Sequence, residues 1–252
     1  MSKTVFITGA TAGFGKACAE KFAKEKYDLV ITGRRKEKLE EVAAGLRATH
    51  GIKVTTLCFD VQDKKAVFEA AEQLKAAQQP VDILINNAGL ALGRDPFDEA
   101  DMDDWDTMLN TNVHGLLYVT RALLPLLKES ARPHIINLGS ISGKEVYENG
   151  NVYCATKFAV GALSQAMRIE LLKHGIKVTA IHPGAAETEF SMVRFKGDQQ
   201  KSDAVYGGIQ PLVAEDVADT IYYCACLPPH VCINDLVITC LQQANSFYTY
   251  RK

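Results

Sequence analysis

Seven short runs of apolar, largely β-branched residues are spaced along the chain, with helix-periodic segments between them, and this alternation limits the fold more than any single motif. The runs are Thr4–Thr8, Tyr27–Thr32, Ile52–Phe59, Val81–Ile85, Ile135–Leu138, Val178–Ile181 and Leu236–Thr239. Short, nearly uninterrupted apolar runs suit strands buried on both faces. Parallel strands need long crossovers, which the intervening segments supply as helices. The pattern predicts an α/β fold: a doubly wound, Rossmann-type parallel β-sheet with helices on both faces. No Pro/Gly linker or charge run breaks the series, so residues 1–252 are expected to form one domain. A content of 47% hydrophobic and 23% charged residues is enough for its core.

The first run enters Gly9-Ala10-Thr11-Ala12-Gly13-Phe14-Gly15, and an amphipathic helix follows. Glycines there let a phosphate approach the backbone, and the free N–H groups of the helix start face the anion. The spacing is G-x-x-x-G-x-G, and a plain strand-to-helix turn is the alternative. The second run ends at Gly33-Arg34-Arg35, where a dinucleotide fold would place an acidic residue on the ribose 2′-hydroxyl. Two arginines suit a 2′-phosphate instead and favour NADP(H), unless they merely start the next helix. Asp28 lies at the opposite end of that strand. After the third run, Asp60-Val61 could meet an adenine, or Asp60 could cap the next helix. After the fourth, Asn86-Asn87-Ala88-Gly89 leaves room for a cofactor, with asparagines tying the loops together.

The fifth run delivers Ser140 to the carboxyl end of a central strand, where such sheets bind ligands. With no Gly-x-Ser-x-Gly elbow around it, Ser140 is a hydrogen-bond donor to substrate oxygen rather than a nucleophile. Tyr153 and Lys157 fall one turn apart on a helix that runs on through Leu172. A phenol has a reference pKa of ~10, and bringing it near neutrality takes about 3–4 kcal/mol. Lys157 should supply part of that, and an oxidised nicotinamide the rest. Beyond the sixth run, Pro183-Gly184 leads into a poorly periodic stretch, about 184–210, expected as a substrate lid. It holds Thr188 and the trio Arg194-Phe195-Lys196, in which Arg194 and Lys196 are a solvated loop or a clamp on a substrate carboxylate.

Other features carry less. The carboxylates from Asp98 to Asp106 suit a helix N-terminus better than a metal. Cys224, Cys226, Cys232 and Cys240 lack a C-x₂-C knuckle, so no metal is expected. His114 reads as a helix-surface residue, and Pro125 as a kink in its helix. A net charge of -2 gives no footprint for nucleic acid or an anionic membrane. No apolar run is long enough to span a bilayer. An odd seven cysteines without a signal-peptide core predict a reduced, cytoplasmic setting.

Thr8-Gly9 with Gly13 and Gly15, Asn86-Asn87-Ala88-Gly89, Asn112, Ser140, Tyr153 with Lys157, and Pro183-Gly184 with Thr188 stand in one order. Together they resemble the short-chain dehydrogenase/reductase family over essentially the whole chain. Gly9–Gly15, Asn86–Gly93 and Phe190–Asp198 are most similar to its NADP-dependent 3-hydroxy acid dehydrogenases, which act on L-allo-threonine or serine. The resemblance implies hydride transfer between NADP(H) and a small 3-hydroxy acid, such as L-serine, 3-hydroxyisobutyrate or 3-hydroxypropionate, or the matching semialdehyde. It implies Tyr153 as acid/base, with Ser140 holding the substrate oxygen. Lys157 would lower the Tyr153 pKa and bond the nicotinamide ribose, Asn112 would position a relay water, and Thr188 would bond the carboxamide. It also implies a homotetramer. Cys154 departs from the serine or glycine usual beside the tyrosine. A broader carbonyl or 3-oxoacyl reductase and a non-catalytic NADP sensor are the rival readings.

Overall fold

A computed structural model describes residues 3–252. The strands are β1 (Thr4–Ile7), β2 (Asp28–Gly33), β3 (Val54–Cys58), β4 (Ile83–Asn86), β5 (His134–Leu138), β6 (Lys177–Pro183) and β7 (Asp235–Ile238). All pair in parallel, in the order β3-β2-β1-β4-β5-β6-β7. The chain therefore builds outward from β1 in one direction, returns to β4, and builds the other way. The crevice at the carboxyl ends of β1 and β4 is the topological switch point, where such sheets take ligands.

The helices are α1 (Gly13–Lys24), α2 (Lys36–His50), α3 (Lys64–Ala76), α4 (Met102–Leu109), α5 (Leu116–Glu129), α6 (Asn151–Leu171), α7 (Glu189–Arg194), α8 (Gln199–Tyr206) and α9 (Ala214–Cys226). Because strand side chains alternate between faces, each face of the sheet carries its own core. On one, Val5, Ile7, Leu29 and Ile31 pack with Phe22 of α1 and Ile221 of α9. On the other, Phe6, Val30, Leu84 and Ile135 pack with Leu74 of α3 and Leu123 of α5. Fully burying a side chain such as Phe22 contributes about 2–3 kcal/mol.

One local expectation changes. Residues 184–210 are not structureless, since α7 and α8 lie within them, started by Thr188 and Asp198 side chains that accept from Phe190 and Lys201 amides. At six and eight residues these helices are too short to give a clear period in the sequence. α5 continues through Pro125 to Glu129, and between α4 and α5 one turn, Asn110–Gly115, is a π-helix.

Candidate active site

The glycine turn after β1 is built for close approach. Gly9 has φ +67° and Gly13 φ +50°, both in the left-handed region that favours glycine. A Cβ on Gly15 would lie 2.3 Å from the Gly9 carbonyl oxygen, so Gly15 packs against the turn rather than facing open space. Ala12, which precedes α1, offers no side-chain cap, and the first turn carries no acidic residue. These N–H groups are thus left to an external anion. Asn87 secures the turn from β4: its Nδ2 donates to the carbonyls of Thr8 and Gly9, and Thr8 Oγ1 accepts from the Asn87 and Ala88 amides.

From this turn a cavity of about 340 Å³ runs along the strand ends. It takes in Gly9, Thr11, Gly13 and Phe14, then Arg34 and Arg35, Asp60 and Val61, Asn87 to Gly89, and finally Tyr153, Lys157 and Thr188. An elongated cradle with arginines at one end and a phenol at the other fits a dinucleotide. The buried hydroxyls of Thr32 and Thr111, both on its walls, have no partner among the described residues. Gly15, Pro183 and Gly184 are not on its walls. Pro183 and Gly184 line a second cavity of about 230 Å³ that shares Tyr153 with the first.

At the arginine end, Arg34 pairs with Asp60 at 3.4 Å, and Arg35 donates to Thr11 Oγ1 at 2.9 Å. Asp60 does not cap the next helix, because Asp63 holds that position and accepts from the Ala66 amide. Asp28 accepts from the Lys53 amide at the far end of the sheet. Lys38 and Glu189, which sequence reasoning missed, complete the cluster. Glu189 accepts from Lys38 at 2.8 Å and from Arg35 at 3.2 Å. Both lie in segments dense in charge, where no pattern separates a site residue from a solvated one.

At the other end, α6 delivers Tyr153 and Lys157, both buried. Burial pushes the Tyr153 phenol well above its ordinary pKa, opposed by a hydrogen bond with Ser140 and the nearby Arg194 charge. Lys157 Nζ lies 5.9 Å from the Tyr153 ring centroid and donates to the Leu138 carbonyl at 2.9 Å. Burial pulls its own pKa down to about 8. Ser140 is oriented locally: its Oγ accepts from the Ser142 amide and donates to Ser142 Oγ, each at 3.1 Å.

Asn112 is brought inward by the π-helical turn. It accepts from the Leu90 amide at 2.9 Å and donates to the Leu90 carbonyl at 2.8 Å and to Thr156 Oγ1 at 3.1 Å. A Cβ on Gly89 would lie 3.2 Å from Asn112 Oδ1 and 3.5 Å from Lys157 Nζ, so the two side chains converge there. His114 is exposed and stacks on Tyr118.

Arg194 and Lys196 part company. Arg194 lines the second cavity with its guanidinium 5.5 Å from the Tyr153 ring centroid, held by Tyr147 Oη at 2.9 Å and the Gly93 carbonyl at 3.3 Å. Lys196 lies outside both cavities and pairs with Asp104 at 2.8 Å, because a left-handed residue (φ +52°) turns the chain just past α7. In its place the cavity has Arg94, together with Tyr147, Gln243 and Ser246. These come from irregular segments far apart in sequence, with no motif to announce them. Among the described residues no three His, Cys, Asp or Glu side chains form a group that could hold a metal. Among the same residues no helix is long and apolar enough to cross a membrane.

The family model for short chain dehydrogenases matches residues 3–199. Sulfoacetaldehyde reductase 2 of Chromohalobacter salexigens is 46% identical over 249 residues, spanning 98% of each chain. Serine 3-dehydrogenase of Agrobacterium fabrum is 43% identical over the full length of both. The closed form of a serine dehydrogenase complexed with NADP+ superposes with a TM-score of 0.91 at 40% identity, covering 99% of each chain.

Proposed function

The chain belongs to the short-chain dehydrogenase family, and from that premise we propose that it is an NADP(H)-dependent oxidoreductase. Its substrates are small acids whose anionic group sits one carbon away from the reacting carbon. Arg34 and Arg35 just after β2, with Lys38 in the first turn of α2, cluster three cations at the strand end where an NAD(H) site would carry its ribose-binding acid, and support NADP(H) over NAD(H). Bound there, NADP(H) supplies a hydride donor or acceptor. Gly9, Thr11, Gly13 and Phe14 hold its phosphates, Asp60 and Val61 its adenine, Asn87 to Gly89 its nearer ribose, and Thr188 its carboxamide end.

Tyr153 takes the hydroxyl proton in oxidation and returns it in reduction. Burial keeps the phenol protonated at neutral pH, and the hydrogen bond from Ser140 and the Arg194 charge oppose that shift, favouring the phenolate that proton transfer requires. Ser140 holds the substrate oxygen next to that phenol. Lys157, anchored on Leu138, positions the ribose and adds positive charge, and Asn112 positions a water on the route to Lys157. α7 and α8 close over the substrate.

The observation that carries the substrate class is Arg194, set beside Tyr153 in a small cavity that also holds Arg94. A guanidinium at that distance can hold a carboxylate or sulfonate while the oxygen on the next carbon but one exchanges its proton with the phenol. Serine and sulfoacetaldehyde, which name two of the relatives, share that spacing between anion and reacting carbon. The test is an initial-rate screen. L-serine, L-allo-threonine and 3-hydroxyisobutyrate are run with NADP+ and with NAD+, and malonic semialdehyde and sulfoacetaldehyde with NADPH. Arg194→Ala should raise KM for the anionic substrates at least tenfold, and Tyr153→Phe should lower kcat about 10²–10⁴-fold while NADPH still binds. Uncharged ketones reacting as well as the acids, with KM unmoved by Arg194→Ala, would point to a broader carbonyl reductase. A cytoplasmic homotetramer belongs to the same reading.

A further inference from the structure

Glu189, the first residue of α7, reaches back across the mouth of the long cavity to the helix that follows β2. Its Oε2 accepts from Arg35 Nη1 and Nη2, both at 3.2 Å, and its Oε1 from Lys38 Nζ at 2.8 Å. The two cations, Lys38 foremost, hold its carboxyl below the ordinary carboxylate range, so it is an anion at neutral pH. A carboxylate and a phosphate monoester are both acceptor-only anions that guanidinium and ammonium groups hold in the same way. Arg35 and Lys38 therefore already bear an internal anion in the place where, on the reading above, the cofactor 2′-phosphate binds.

We propose that Glu189 is a specificity-determining residue, an internal carboxylate that competes with the cofactor 2′-phosphate for Arg35 and Lys38. Seating NADP(H) then means exchanging one anion for another. Within this cluster Arg34, Arg35 and Lys38 face Asp60 and Glu189, leaving one net positive charge for a dianionic phosphate. Glu189→Gln leaves two, with the side-chain shape almost unchanged. The site is half exposed, so solvent limits the effect to what a few surface ion pairs provide. A cofactor lacking the 2′-phosphate has no competition to win and should not respond.

The inference rests on the NADP(H) reading, and the test separates the two. Dissociation constants are measured by fluorescence titration for the parent and Glu189→Gln with NADPH and NADH, and by competition with adenosine 2′-monophosphate, which carries the phosphate without the nicotinamide. Glu189→Gln should bind NADPH and adenosine 2′-monophosphate about three- to tenfold more tightly, with NADH changed by less than about twofold. Weaker or unchanged NADPH binding would overturn the inference and make Glu189 a support that orients the cations. An equal gain for NADH would overturn it too, since the effect would not be read through the phosphate. A parent protein that binds NADH as tightly as NADPH would remove the NADP(H) reading itself, and the inference with it.

Discussion

Lys157 is the residue at which burial and charge conflict most directly. Its ammonium is buried, with the Leu138 carbonyl as its hydrogen-bond acceptor, and its pKa falls from 10.5 to about 8. A lysine whose folded pKa lies below its unfolded one weakens the fold wherever both states hold the proton, which is below about pH 8. The penalty is relieved as pH rises from the folded value toward the unfolded one. Lys157→Met is therefore expected to unfold at a higher temperature than the parent at pH 7, by an amount worth roughly 1–3 kcal/mol, although Leu138 loses a donor. Thermal melts should show that advantage shrinking from about pH 8 to pH 10, and a variant less stable at pH 7 would refute it. The spacing of Tyr153 and Lys157 put both on one helical face in the sequence, but where the ammonium points was not legible there. That depends on the Leu138 carbonyl, which a different element supplies.

At the level of elements, the π-helical turn between α4 and α5 has the clearest consequence. It buries Asn112 so that one side chain satisfies both backbone polar groups of Leu90 and also reaches Thr156. Asn112→Ala would strand the Leu90 amide and carbonyl away from solvent, and should cost about 2–4 kcal/mol. Urea unfolding midpoints will measure it, and a loss under 1 kcal/mol would show that Leu90 finds other partners. The strands and long helices were legible because apolar side chains recur at fixed intervals over many residues. A single wide turn inserts no recognisable residue, and α7 and α8 are too short to establish a repeat. The glycine turn was legible for the opposite reason, since Gly9 and Gly13 adopt backbone angles that few other residues tolerate.

For the whole molecule, right-handed crossovers and seven apolar runs left few sheet orders, and the observed one is the doubly wound arrangement. The strand-end residues of the long cavity followed from that order. The second cavity did not, because Arg94, Tyr147, Gln243 and Ser246 arrive from loops and the C-terminal tail. That tail also leaves Leu241, Phe247, Tyr248 and Tyr250 largely exposed. Sedimentation equilibrium is expected to give four times the 27.6 kDa chain mass, and a purely monomeric solution would contradict the homotetramer.

α7 is barely two turns long, yet Glu189 at its start touches Arg35 and Lys38, and Arg194 at its end faces the Tyr153 phenol. On the proposed reading, preference for one coenzyme and preference for one substrate would be written on a single short helix. An attempt to convert the protein to NAD(H) by replacing both Arg35 and Lys38 would also release Glu189 from its two partners, and a looser Arg194 would surface as a higher KM for the acid.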